Sequence, residues 1–321
     1  MRLREITIEV TQRCPNYCIH CSSLSSLSCS TQLAYEDIRN VIDDAVLLGA
    51  ELICISGGEP FMHPQIVDII RYIYSKEVHC NIYTSGIIHD GISFLPLSER
   101  TLFSIQGLVD KLIFNVEAAD KEAFERIMGV SGGFELMQAS IVRALRLGFV
   151  VESHTVLMKA NVSSLPQIMA LGNSLGISKM SFLRLVMQGR AVENKELTYL
   201  TEEETYAAKV LIQQCSRKYQ GSIRLGIPLS GCAERINCMA GTVKLNVRYD
   251  GNVYPCEAFK NGSPSCLSSF KPENVKEKRL KEIYSNSSYL NDIRNHLIEF
   301  QQVNTCETSM SQYYIKDQAK K

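Results

Sequence analysis

A chain of 321 residues exceeds the usual size of a single hydrophobic core, so its length favours one large unit joined to a smaller one. Apolar residues make up 45% and charged residues 21%, and 34 basic side chains balance 34 acidic ones, without the positive excess expected of a nucleic-acid partner. No run approaches the roughly 18 apolar residues of a spanning helix, and the opening MRLREITIEV has neither signal-peptide nor transit-peptide character, so the expected setting is cytoplasmic with no membrane partner.

Through about residue 190, apolar strand-like runs alternate with helical periodicity, the pattern of a parallel sheet with crossover helices. Strands are expected at 5–10, 51–56, 80–85, 111–117, 150–157 and 179–185. Helical stretches lie between them, among them 35–49 and 134–148, each ending on a glycine suited to a left-handed C-terminal position. Right-handed crossovers curl six such units into a partial (β/α)6 TIM-like barrel, an α/β fold whose chemistry collects beyond the C-terminal strand ends. Cys14, Gly57, Ser85, Glu117, Lys159 and Gly189 all fall just past those ends.

After Gly189 the pattern changes to a polar stretch, one more helix, and a cysteine-dense segment starting at Cys232. The expected division is a barrel core at 1–191, a connecting helix and strand at 192–231, and a small C-terminal domain at 232–321 built from a β-hairpin plus helix. Asp250-Gly251 marks the hairpin turn, and Cys256 lies at the end of the returning strand.

Twelve cysteines in a chain without an export signal are more than packing needs in a reducing compartment, where disulfides are disfavoured. Cys14, Cys18 and Cys21 lie together immediately after the first strand. Soft thiolates suit zinc or an iron-sulfur cluster. A closed structural zinc site takes four protein ligands, whereas this loop supplies three, and His20 adjoins Cys21 too closely to converge readily on the same centre. A cluster held by three thiolates leaves one iron open to an external ligand. A non-enzymatic zinc or iron-sulfur binding module is the competing reading.

CxxxCxxC after the first strand, followed by GGEP at 57–60 after the second, resembles the radical S-adenosylmethionine superfamily. The resemblance implies a [4Fe-4S] cluster on Cys14, Cys18 and Cys21, with S-adenosyl-L-methionine completing the fourth iron. It implies reductive cleavage of that cosubstrate to a 5'-deoxyadenosyl radical that takes a hydrogen atom from a substrate, with an electron donor such as flavodoxin or ferredoxin. On the same grounds His20 would stand beside the adenine, and Gly57 and Gly58 would admit the methionine closely. Glu59 and Pro60 would shape the edge that receives its ammonium group. Asn115 and Glu117 would reach the ribose or carboxylate.

Downstream, a cysteine with Ala-Gly two residues on, then Asp-Gly, then Tyr-Pro-Cys resembles the SPASM or twitch extension, which binds auxiliary iron-sulfur clusters. That resemblance implies one auxiliary iron-sulfur cluster on Cys232, Cys238, Cys256 and Cys306, with Cys266 competing for the last place. Without Cys232 that cluster would keep an open iron. Cys54 and Cys80, within strands, are expected to be core residues, and Cys215 lies mid-helix.

Enzymes of this two-part architecture modify peptide or protein side chains by oxidation, crosslinking or epimerisation, and that is the function the resemblance implies. An aminocyclitol or sugar alcohol dehydrogenase of the same radical type is the alternative. The first strand is expected within ten residues of Met1, with no winged-helix segment before it, which weakens the expectation of peptide recognition in cis, although a separate binding protein could supply it.

Overall fold

The computed structural model describes residues 2–226, 239–261, 268 and 270–303. Strands β1 (Glu5–Glu9), β2 (Leu52–Ser56), β3 (His79–Thr84), β4 (Ile87–His89), β5 (Phe94–Pro96), β6 (Lys111–Asn115), β7 (Val151–Leu157), β8 (Lys179–Arg184) and β9 (Ser222–Leu225) are followed by β10 (Lys244–Val247) and β11 (Val253–Tyr254). The helices are α1 (Tyr35–Leu47), α2 (Ile66–Tyr74), α3 (Glu99–Ile105), α4 (Lys121–Met128), α5 (Gly133–Arg146), α6 (Leu165–Leu175), α7 (Arg190–Glu193), α8 (Lys195–Thr198), α9 (Glu202–Ser216), α10 (Leu280–Asn286) and α11 (Ser288–Val303).

Nine strands form one sheet in the order β11-β10-β1-β2-β3-β6-β7-β8-β9, while β4 and β5 make a separate hairpin. All neighbours are parallel except β10 and β11. The six strands expected from the sequence are its continuous middle, and the α/β partial-barrel class follows. The expected hairpin forms, and its first strand does more than pair locally: β10 lies parallel against β1, with Glu5 opposite Lys244 and Thr7 opposite Asn246. Alternation explains the fit, since Leu245 and Val247 join the core on the helix side while Lys244 meets Glu5 at 2.9 Å on the other.

Each strand turns one set of side chains outward under the helices. Ile6, Ile8, Ile53, Ile55, Ile82, Leu112, Phe114, Val151, Met180 and Phe182 form that layer, all fully buried. The helices answer with matching stripes. On α2, Ile66, Ile69, Ile70 and Ile73 recur at helical spacing and are buried, each contributing about 1.5–3 kcal/mol. Helix starts are specified locally: the Asp120 carboxylate accepts the Ala123 N–H at α4, and Thr201 with Glu204 closes a capping box at α9. Cys80 sits in the core as expected, whereas Cys54, equally buried, is on the opposite, lumen-facing set, where burial pushes its thiol up to about 12. No helix among the described residues is long and apolar enough to cross a membrane.

Candidate active site

The loop after β1 carries Cys14, Cys18 and Cys21, and its main chain is pinned on several sides. The Cys14 N–H donates to the Ser26 carbonyl at 3.1 Å, and the Tyr17 and Ile19 N–H groups donate to the Met128 and Ile127 carbonyls, each at 2.9 Å. Those two bonds satisfy carbonyls that the end of α4 leaves without helical partners. Arg190, buried at the start of α7, donates to the Cys18 and Ser25 carbonyls, each at 2.8 Å, and stacks 4.0 Å from the Tyr17 ring. Sequence reasoning missed Arg190. Its position just past the β8 end was the one available signal.

The two-glycine turn after β2 is zipped to this loop. Gly58 N–H donates to the Thr11 carbonyl at 2.6 Å, and Glu59 N–H to the Arg13 carbonyl at 2.9 Å. A Cβ on Gly57, whose φ is +143°, would lie 2.5 Å from the Thr11 oxygen, and one on Gly58 would lie 2.5 Å from the Gln12 oxygen and also strike that of Arg13. Only residues without a side chain allow the two backbones to touch.

Glu59 is held at the edge of the turn by hydrogen bonds. Its carboxylate is wholly buried and accepts the Thr84 hydroxyl at 2.7 Å, the Ser85 N–H at 2.8 Å and the Ser85 hydroxyl at 2.6 Å. Burial pushes its pKa up while these bonds pull it back. Glu59 therefore braces the turn, and it is Thr84 and Ser85 that face the cavity. Pro60 opens a short 3-10 turn and does not line the cavity either.

That cavity, of about 120 Å³, is lined by Cys14, Cys18, His20, Gly57, Gly58 and Asn115, with Ser85 and Thr84 at its wall. Cys21 lies outside the lining, yet it is near enough to act on both other thiols. Burial pushes the Cys14 thiol well up, with Glu59 and Cys21 adding to it. Burial likewise raises Cys18, followed by Cys14 and Cys21, against a lowering pull from Arg190. At Cys14 and Cys18 burial thus favours the thiol, and metal binding there would release the protons. Among the described residues no three His, Cys, Asp or Glu side chains close around a single ion. A cluster asks for less, because each thiolate binds a different iron.

Behind the lining residues His20 and Asn115, Glu117 is fully buried and burial raises its pKa to about 8, although the Val156 N–H and the Asn115 amide donate to it. His20 Nε2 lies 3.5 Å from its Oε1, and burial lowers that imidazole to about 4. At neutral pH the two are an uncharged pair. His20 Nδ1 and Asn16 Oδ1 are buried and without protein partners. A glycine cradle, a soft donor set and orphaned polar atoms together fit a cluster with a polar cosubstrate.

Below this cavity the barrel lumen is polar. Tyr83 and His154, from non-adjacent strands, face each other with ring centroids 5.3 Å apart. Asn81 Oδ1, the Ser181 hydroxyl and both amide atoms of Asn246 are buried without protein partners. A second cavity of about 540 Å³ opens at the N-terminal strand ends, lined by Glu5, His79, Asn81, Lys111 and Lys244 among others.

Of the cysteines expected in the second constellation, Cys256 alone is described, in the turn after β11; Cys232, Cys238, Cys266 and Cys306 lie outside the described residues. The next residue, Glu257, accepts the Thr7 hydroxyl at 2.7 Å and lies 3.2 Å from Lys244. Burial opposes its charge, but Lys244 and the Thr7 hydroxyl hold it below the usual range, so a carboxylate faces the lumen beside Cys256. Sequence reasoning missed Glu257 and Lys244.

Comparison with known proteins agrees with this geometry. The model of the radical SAM superfamily matches residues 8–171, just over half of the chain, and that of an iron-sulfur cluster-binding domain, SPASM, matches 238–308. PqqA peptide cyclase of Rhizobium meliloti (strain 1021) is 27% identical over 292 residues, 89% of this chain and 74% of that protein. AdoMet-dependent heme synthase of Methanosarcina barkeri (strain Fusaro / DSM 804) is 23% identical over 316 residues, 91% and 85% of the two chains. Among solved structures, Streptococcus suis SuiB bound to precursor peptide SuiA superposes with a TM-score of 0.71 at 14% identity, covering 91% of this chain and 67% of that one. Native anSMEcpe with bound AdoMet and Cp18Cys peptide gives 0.68 at 12% identity, covering 95% and 86%. These two show the fold.

Proposed function

The chain belongs to the radical SAM superfamily, and on that premise we propose that it abstracts a hydrogen atom from a peptide or protein side chain, leading to oxidation, crosslinking or epimerisation. The observation that carries this reading is the seam in which residues 11–13, leading directly into Cys14, lie in backbone contact with Gly57 and Gly58, so that Cys14, Cys18 and the two glycines line one cavity. In this reading Cys14, Cys18 and Cys21 hold the cluster, and Gly57, Gly58, Ser85, His20 and Asn115 seat the cosubstrate. Cluster and cosubstrate supply the 5'-deoxyadenosyl radical when bound.

The chain's own contribution is position and exclusion of water. Arg190 and the end of α4 hold the cysteine loop still, and His20, at the cavity wall, is backed by the buried Glu117 3.5 Å away. The unpartnered Asn81, Ser181 and Asn246 groups give a peptide's amides something to bind in the lumen. A peptide substrate is supported by the relative named a peptide cyclase and by the fold shared with SuiB. A barrel core at 1–191, a connector at 192–231 and an auxiliary-cluster domain at 232–321 complete the reading, with one cluster on Cys256 and its partners. A flavodoxin or ferredoxin in the cytoplasm would supply the electron.

The test is anaerobic reconstitution with iron and sulfide, followed by S-adenosylmethionine, dithionite and deuterated candidate peptides. We expect 5'-deoxyadenosine carrying deuterium from the peptide, and none from C14A/C18A/C21A. Deuterium arriving from an aminocyclitol instead would overturn the peptide assignment. Zinc at the three cysteines with no 5'-deoxyadenosine would overturn the whole reading.

A further inference from the structure

The turn that follows Cys256 reaches back to the cysteine loop. Lys260 Nζ lies 2.5 Å from Glu9 Oε1 and 3.0 Å from the Ser23 hydroxyl, which itself donates to Glu9 Oε2 at 3.2 Å. Asn261 donates to the Ser22 carbonyl, and the Tyr249 hydroxyl donates to that of Ser23 at 3.1 Å. Ser22 and Ser23 directly follow Cys21, so one end of the loop is clasped by residues four and five places beyond Cys256.

Lys260 and Glu9 are almost wholly enclosed, with side-chain exposures of 8% and 1%. Desolvating two charges costs several kcal/mol for each, and an apolar pair of similar volume would stabilise the fold about as well. A buried ammonium here therefore asks for a reason besides stability. Burial works against its charge; Glu9, then Glu257 and Cys21, restore it.

We propose that Lys260 is a positioning residue that fixes a positive charge beside Cys21 and thereby raises the reduction potential of the cluster held by the N-terminal cysteines. The inference rests on the reading that Cys14, Cys18 and Cys21 hold that cluster. Reduction adds one electron, delivered by a one-electron donor protein or by dithionite, and Lys260 exchanges no proton. The added negative charge is repelled by the buried Glu9 carboxylate, and the ammonium 2.5 Å from that carboxylate offsets the repulsion in a poorly screened interior, so the reduced form is favoured relative to a chain without Lys260.

The experiment is an electron paramagnetic resonance redox titration of the reconstituted full chain, with iron and sulfide counted in each sample. The C14A/C18A/C21A chain identifies the auxiliary signal for subtraction. K260M is expected to load normally and to show severalfold less reduced N-terminal cluster at a fixed poise, its midpoint moved to more negative potential. K260R should restore the wild-type midpoint. Should K260M fail to load, the comparison of E9Q/K260M with E9Q, which differ only in the ammonium, decides: a lower midpoint in the double variant supports the proposal and equal midpoints overturn it. A fully loaded K260M with an unmoved midpoint, or an equal shift in K260R, also overturns it. A wild-type chain with no signal dependent on the three cysteines overturns the underlying reading as well.

Discussion

Replacing Glu117 with Gln tests the buried carboxyl behind His20. Unfolded, this carboxyl releases its proton near 4.5; folded, burial holds it to about 8. Across that window the native state keeps a proton that the unfolded chain has lost, so stability falls as pH rises. At 1.36 kcal/mol per tenfold, the loss between pH 4.5 and 8 is roughly 5 kcal/mol as a ceiling. Glu117→Gln retains the Val156 N–H as a donor to its side-chain oxygen and has no proton to release. Urea denaturation of anaerobically purified wild type and variant from pH 5 to 8.5 reads the difference directly. The wild type is expected to lose several kcal/mol relative to Glu117→Gln over that range. His20, lowered to about 4, makes stability rise between about pH 4 and 6.5 in both proteins and cancels from the comparison. Parallel stability curves would refute the argument, since they require a Glu117 that ionises as freely in the fold as outside it.

Gly58→Ala drives a methyl group into the Gln12 and Arg13 carbonyls; overpacking of this kind costs about 1–3 kcal/mol. Because backbone cannot swing aside, we expect a lower denaturation midpoint and at least tenfold weaker S-adenosylmethionine binding by calorimetry, and wild-type affinity would mean that the two loops are not in contact. Arg279 donates to both oxygens of the buried Asp44, at 2.9 and 2.7 Å, and joins α10 to α1. Arg279→Met should cost about 1–3 kcal/mol, moderated by the partial exposure of the guanidinium, with much of it recovered in D44N/R279M. Additive losses in that double variant would show that no pairing energy is involved.

The six central strands are legible in the sequence because each is an apolar run long enough to be read alone. The β4–β5 hairpin carries an equally plain Asp90-Gly91 signal, but its strands of three residues are too short for alternation to register. β10 shows the complementary limit: period two identifies a hairpin, while nothing local says that its neighbour is β1. The site divides similarly. Cys14, Cys18, Cys21, Gly57 and Gly58 are read from short motifs whose chemistry is local. Arg190 acts on a carbonyl 172 positions away, and Lys260 on a carboxylate 251 positions away. Glu59 was visible as a carboxylate, but only the fold reveals that Thr84 and Ser85 consume it.

Because β10 lies against β1, the first strand of the chain keeps one edge bare until Val247 has left the ribosome. Synthesis runs at roughly 5–20 residues per second, so the opening third of the polypeptide waits many seconds for its last neighbour. During that wait the clasp at Ser22 and Ser23 does not yet exist, so the segment just after Cys21 gains its last contacts only once Asn261 has been made.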